Sequence, residues 1–281
     1  MPAARVPTKQ ILKRLRRRPG HGCLGLVGLI VLAGILRCDA RSPLKLMSTN
    51  YAFDPGPLPA NSLKGVTVVI DPGHGGEDPG TIQGGVYEAT LTYRTAATLA
   101  RVLRAAGAKT HFTVRSAALT EKGSPHAPRD ASPVTAPNRP LRSAKDNPED
   151  IYARADLAAR YWEKKARPLY FVSLHFDSRD PGIRGGHALW DLPERSGQPS
   201  RLAKIIATRL GQAELNRSFP AFPQMQKLGV LSPARNPVPD RVLVECATLS
   251  DPDDRKLALD PKWRQALCHV LAHAIYETKK R

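Results

Sequence analysis

Aromatic residues make up only 6% of the 281-residue chain, and no basic helix is interleaved with them. Stacking platforms for single-stranded nucleic acid are therefore poorly supplied. Cysteine is scarce as well: there are four, none in a CxxC pair, and four make no disulfide framework in a chain this long. Cys23 falls in an apolar leader and Cys38 just after it, while Cys246 and Cys268 read as small buried hydrophobes rather than a bridge. No HExxH motif occurs, and no internal repeat. Acidic residues are outnumbered, 25 against 43 basic ones, which gives a formal charge of +18. Nine of the basic residues and one acidic residue lie in residues 1–42, so much of the excess belongs to the leader. The remaining positive charge favours polyanions, and anionic cell-envelope polymers satisfy it as well as nucleic acid does. A nucleic-acid partner is not expected.

The leader has a pattern of its own. Lys9, Lys13, Arg14, Arg16, Arg17 and Arg18 precede the uncharged stretch CLGLVGLIVLAGIL, Cys23 to Leu36. That is the pattern of an export signal, and it is short for a membrane-spanning helix. Residues 1–42 are expected to contact the membrane as a signal peptide or anchor, with the body exported to the periplasm or cell envelope. Residues 43–63, with Pro55, Pro57 and Pro59, read as a tether, and the domain proper as residues 64–281.

Within that domain the pattern is strand, helix, strand. Val66–Ile70 is a continuous apolar run. Glu88–Ala106 places Leu91, Thr95, Leu99, Val102, Leu103 and Ala106 on one helical face and ends at Gly107, and Ala108–Val114 reads as the next strand. Helices are expected at Pro148–Lys165, Ser200–Leu215 and Pro261–Thr278. Strands are expected at Leu169–Leu174, His187–Leu192 and Val242–Val244. Residues 116–147 carry five prolines, from Pro125 to Pro140, and read as an insertion without regular structure. The whole reads as one three-layer α/β domain whose central sheet is mostly parallel and flanked by helices.

Polar side chains interrupt this pattern at one kind of address. His74 sits among Gly73, Gly75 and Gly76 just past the first strand, in VVIDPGHGG. His175 ends the strand FVSLH, and Glu245 ends VLVE. Groups beyond the carboxyl ends of parallel strands converge on one crevice, and Glu88 opens the helix that follows the first strand. Two imidazoles and a carboxylate are a standard first shell for catalytic zinc, with a further position left open. Each residue also has a plainer explanation: a turn for His74, a helix-dipole partner for Glu88, a core histidine for His175. Glu245 resists one, because an unpaired buried carboxylate costs several kcal/mol. Of the other histidines, His187 is a candidate to line the cleft. His111, His126, His269 and His273 read as structural.

These residues resemble the zinc-dependent N-acetylmuramoyl-L-alanine amidases of the type 3 family, over about Val66 to Ile275. DPGHGGEDPG, Asp71 to Gly80, is similar to the family's opening motif and corresponds to a metal histidine at His74. YEATL matches the start of its first helix, with a metal glutamate at Glu88. SLHFDS matches its second histidine motif at His175, and LVE its catalytic glutamate at Glu245. The resemblance implies Zn²⁺ held by His74, Glu88 and His175, Glu245 as base, and peptidoglycan as substrate. A protein activator is left open, and the chain is expected to be a monomer. Two departures stand out: the insertion at 116–147, and Cys246, Ala247 and Thr248 in place of a glycine-containing segment. The rival expectations are a zinc peptidase cutting within the stem peptide and a non-catalytic wall-binding regulator.

Overall fold

The computed structural model describes residues 51–75, 78–115, 134–135, 139–140, 149–191 and 198–280. The leader and most of the expected insertion lie outside these. The elements run β1 (Thr67–Pro72), β2 (Ile82–Gln83), β3 (Val86–Tyr87), α1 (Glu88–Ala105), β4 (Lys109–Phe112), β5 (Val114–Arg115), β6 (Val134–Thr135), β7 (Arg139–Pro140) and α2 (Glu149–Glu163). Then follow β8 (Leu169–Asp177), β9 (His187–Trp190), α3 (Arg201–Gln212), β10 (Gln224–Met225), a 3-10 turn (Gly229–Leu231), β11 (Asp240–Thr248), α4 (Pro252–Leu259) and α5 (Pro261–Lys280).

Six strands form one sheet in the order β10-β9-β11-β8-β1-β4. The strands β4, β1, β8 and β11 are mutually parallel, and β9 pairs antiparallel with β11. Both faces are covered, which is why the strands read as apolar runs rather than alternating ones. Val68, Ile70, Val172, Leu174, Val242 and Val244 pack into one core with α1, α3 and α5. The intervening Val69, Phe171, Leu189 and Leu243 face α2 and the 3-10 turn. This is the expected three-layer α/β arrangement. The predicted face of α1 is buried as patterned, and α5 buries Trp263, Leu267 and Leu271; these and Leu91, Leu99 and Leu103 are all at 2% exposure or less.

Three expectations need correction. Residues 51–63, expected as a tether, are docked on α5. The Tyr51 hydroxyl donates to Asp260 Oδ2 at 2.7 Å, Asp54 Oδ1 lies 2.7 Å from His269 Nδ1, and Leu58 and Leu63 are buried. Prolines stiffen this segment without preventing it from packing. Second, the insertion holds regular structure where it is described: β6 pairs antiparallel with β5 and with β7, so proline tolerates a short edge strand here. Third, β8 and β11 run past His175 and Glu245 to Asp177 and Thr248. The polar residues lie inside the last turns of ladder, not after them. Helix α4 went unread although its start is well marked, with Asp251 capping the Asp254 N–H at 2.9 Å and Pro252 at its first position. Among the described residues no helix is long and apolar enough to cross a membrane.

Candidate metal centre and base

The loop after β1 answers why a histidine sits among glycines. His74 adopts φ 63°, between Gly73 and Gly75, which itself has φ 117°. That left-handed turn carries the imidazole back over the edge of the sheet. His74 Nε2 lies 3.0 Å from Glu88 Oε1, and His175 Nδ1 lies 3.1 Å from the same oxygen. The two rings meet edge to face, centroids 4.8 Å apart. One donor atom from each of the three residues falls within 4.8 Å of the others.

Room for these side chains comes from glycine. A Cβ on Gly73 would sit 2.2 Å from His175 Cε1 and 2.3 Å from its Nε2, and one on Gly80 would sit 2.6 Å from Glu88 Oε2 and 2.7 Å from His74 Cδ2. Replacing Gly73 by Ala is therefore expected to turn His175 away from Glu88 and weaken metal binding by about 10- to 100-fold. Titration of the purified variant with zinc against a chromophoric chelator measures this.

The helix-dipole explanation of Glu88 does not fit. The first N–H groups of α1 are already taken, Glu88 N by Thr81 O at 2.9 Å and Ala89 N by Pro79 O at 3.1 Å. The carboxylate instead accepts from the backbone of Thr81 at 2.9 Å and Phe176 at 3.0 Å. Those bonds aim its Oε1 at the two imidazoles.

Sequence reasoning missed the residues that hold the cluster in place. Asp78 Oδ2 lies 2.8 Å from His74 Nδ1, and its Oδ1 accepts from Gly80 N at 3.0 Å. A carboxylate on one imidazole nitrogen fixes the ring and directs the other nitrogen outward; an acid four residues after the histidine in a glycine-rich loop was the available signal. Asp71, within the apolar strand, was the other. It is 1% exposed and accepts from Arg154 Nη1 at 2.9 Å, Ser173 Oγ at 2.6 Å and Thr113 Oγ1. Arg154 also donates to the carbonyls of Pro72 and His74, both at 2.6 Å. One guanidinium thus ties α2 to the loop that presents His74. Burial works against the charge on Asp71, but Arg154 and the two hydroxyls outweigh it and hold its pKa below the ordinary range.

The cluster is electrostatically loaded. Burial opposes a charged His74, yet hydrogen bonds to Asp78 and Glu88 overcome it and raise the pKa to about 10. Burial likewise opposes a charged Glu88, and the two imidazoles nonetheless hold it well below its usual value. The carboxylate and the two imidazoles thus favour positive charge between them, the charge that a cation would supply.

Glu245 lies directly opposite His175 in the β8–β11 register. Both share the sheet face of Leu243 and Phe171, so the carboxyl stands beside the cluster without belonging to it. Its Oε2 is buried without a hydrogen-bond partner. Burial first, then the negative charges of Glu88 and Asp177, push its pKa well above the ordinary range. Just beyond it β11 gains one residue relative to β8, a bulge between Glu245 and Thr248. That is where Cys246, Ala247 and Thr248 replace the expected glycine segment. The wall they form is fixed by Asp254, which accepts from Thr248 N at 3.0 Å and Arg217 Nη1 at 2.8 Å.

His187 does reach this edge, opposite Glu245 on β9. The remaining described histidines are structural: His111 stacks on Tyr161 at 4.0 Å, and His269 and His273 hold residues 54–56. His126 lies outside the described residues. Cys246 and Cys268 are both buried and form no disulfide.

A three-layer α/β sheet with two imidazoles and a carboxylate converging at its carboxyl edge, beside a separate buried acid, defines a domain equipped for metal-assisted hydrolysis. The comparisons agree. The chain belongs to the type 3 family of N-acetylmuramoyl-L-alanine amidases, whose family model matches residues 68–277. It is similar to an uncharacterized cell wall amidase of Bacillus anthracis, 30% identical over 220 residues, covering 77% of this chain and 35% of that protein. It also resembles the putative N-acetylmuramoyl-L-alanine amidase YrvJ of Bacillus subtilis, 51% identical over 53 residues, 18% of this chain and 10% of that protein. The chain thus spans about a third or less of the length of these curated relatives. Among solved structures, the CwlD amidase of Clostridioides difficile, determined in complex with the GerS lipoprotein, superposes with a TM-score of 0.57 at 19% identity, covering 76% of this chain and 98% of that one. The amidase Ami1 of Mycobacterium smegmatis gives 0.55 at 22% identity, covering 76% and 96%. These likenesses show that the fold is shared.

Proposed function

We propose that this protein hydrolyses the amide joining the lactyl group of N-acetylmuramic acid to L-alanine in peptidoglycan, with zinc as cofactor. The observation that carries this is the convergence of His74, Glu88 and His175 on one point beside the partnerless acid Glu245. Family membership supplies the substrate class.

The donor set fits zinc: two imidazole nitrogens and one carboxylate oxygen, with Asp78 and the amides of Thr81 and Phe176 fixing their orientation. When bound there, zinc supplies Lewis-acid polarisation of a carbonyl and a water acidified toward a pKa of about 7. Glu245 acts as general base. Its buried, electronegative surroundings raise its proton affinity, so it takes the proton of the attacking water and returns it to the departing amine. Gly73 and Gly80 keep the space beside both imidazoles clear. Export through the basic and apolar leader, to the periplasm or envelope, accords with a wall substrate.

The test is product analysis. Purified protein should release intact stem peptide with a new L-alanine amino terminus, and chelation should abolish release until zinc is restored. Shortened peptides would instead identify a stem-peptide endopeptidase; wall binding without turnover would identify a regulator. Zinc affinity carries its own signature. The cation must displace the proton held on His74, whose pKa is near 10, so apparent affinity should rise as pH rises, about tenfold per unit for one proton. Competition titrations at pH 6, 7 and 8 would show it; flat affinity would mean that no proton leaves His74 when the metal binds.

A further inference from the structure

His187 is the first residue of β9 and 1% exposed. It lies directly opposite Glu245, which in turn lies opposite His175. Side chains at such positions share a face, with Cβ atoms about 4.5–5.5 Å apart. The neighbouring pair inward on the same face is Leu243 and Leu189, wholly apolar. At the cleft edge the pair becomes an acid and an imidazole. Neither nitrogen of His187 has a hydrogen-bond partner, and neither has Oε2 of Glu245; all three atoms are buried.

A histidine placed only for packing would leave both ring nitrogens stranded without partners. Yet the ring is held firmly. Phe219 stacks on it at 3.9 Å with planes inclined 23°, and Asp177 Oδ2 stands 3.8 Å from Nε2, itself paired with Arg179 Nε. Phe219 and Asp177 thus hold the imidazole on two sides.

We infer that His187 is a positioning residue for Glu245, its ring holding the carboxyl in the orientation that proton transfer requires. A neutral imidazole has one N–H and one bare nitrogen. The nitrogen facing the carboxyl therefore donates to the ionised acid in one tautomer and accepts from the protonated acid in the other. Burial lowers the pKa of His187 to about 4, against the pull of Asp177, which keeps the ring neutral near pH 7. This reading rests on the proposed hydrolysis for its kinetic consequence, but not for its structural one.

Two arms test it in the full chain. His187→Phe keeps a ring against Phe219 and removes both nitrogens; His187→Asn restores a donor and an acceptor. With zinc loaded, His187→Phe should lower kcat by about 10- to 100-fold, as misplacement of a catalytic group does, with KM within about twofold and zinc content unchanged. His187→Asn should recover part of the loss. In the metal-free protein, the ring ¹⁵N resonances of His187 should shift on Glu245→Gln. Wild-type kcat in His187→Phe, or ring resonances indifferent to Glu245→Gln, overturns the inference. If zinc-loaded wild type cleaves no muramyl amide, the proposed function has failed, and the resonance arm alone decides His187. The same arm decides if His187→Phe does not fold.

Discussion

Glu245→Gln is expected to lower hydrolysis by about 10² to 10⁴-fold while raising the melting temperature of the metal-free protein at neutral pH. Loss of activity with gain of stability separates a base from a structural acid. The carboxyl is buried, lacks a partner at Oε2, and stands near the negative Glu88 and Asp177. Its folded pKa is thus raised above the unfolded value of about 4.3. A raised carboxyl contributes stability that is fully present below the unfolded pKa and is lost as pH rises through the folded one. The amide has no such loss. The stability advantage of the variant should accordingly vanish near pH 4 and grow toward pH 8, as thermal unfolding in the presence of a chelator would record. A variant destabilised at every pH would mean that burial does not penalise the charged carboxyl, and the account of its raised pKa would fail.

Arg154→Met is the second large effect, and here stability and metal binding should fall together. The substitution leaves the Asp71 carboxylate buried without its counter-charge and frees the carbonyls of Pro72 and His74. Breaking a buried pair from one side typically costs about 3–5 kcal/mol, or a melting temperature lower by roughly 10 °C for a domain of this size. The His74 backbone is released as well, so zinc should bind about 10- to 100-fold more weakly. Adding Asp71→Asn should recover part of the stability, because the stranded charge is gone, but not the zinc affinity, because the carbonyls remain unheld. Chemical denaturation and zinc titration of the single and double variants separate the two terms.

The fold and the three-residue cluster were legible because each had a periodic or local signal. Continuous apolar strands such as Val66–Ile70 announce a sheet covered on both faces, and a histidine framed by glycines or ending an apolar run is locally anomalous. What supports the cluster was not legible. Asp78 acts through a turn geometry, and Arg154 lies 80 residues from the carbonyl of His74 that it holds. The pairing of His187 with Glu245 depends on β9 running against β11, a choice of strand direction that no pattern within HALW records. Residues 51–63 read as a tether because proline signals local stiffness, and the partners that dock them, Asp260 and His269, come from the far end of the chain.

The reversal of β9 has a consequence for engineering. Because that strand starts where β8 finishes, the nine residues 178–186 leave and re-enter the sheet at the same rim. Asp254 pins the returning end through Gly185 N, and Ser250 pins the leaving end through Arg179 N at 3.0 Å. Between those two anchors the chain overhangs the reactive edge without supplying a donor to the cluster. Grafting longer or differently charged segments there would change what flanks the cluster while leaving its three donor residues in place.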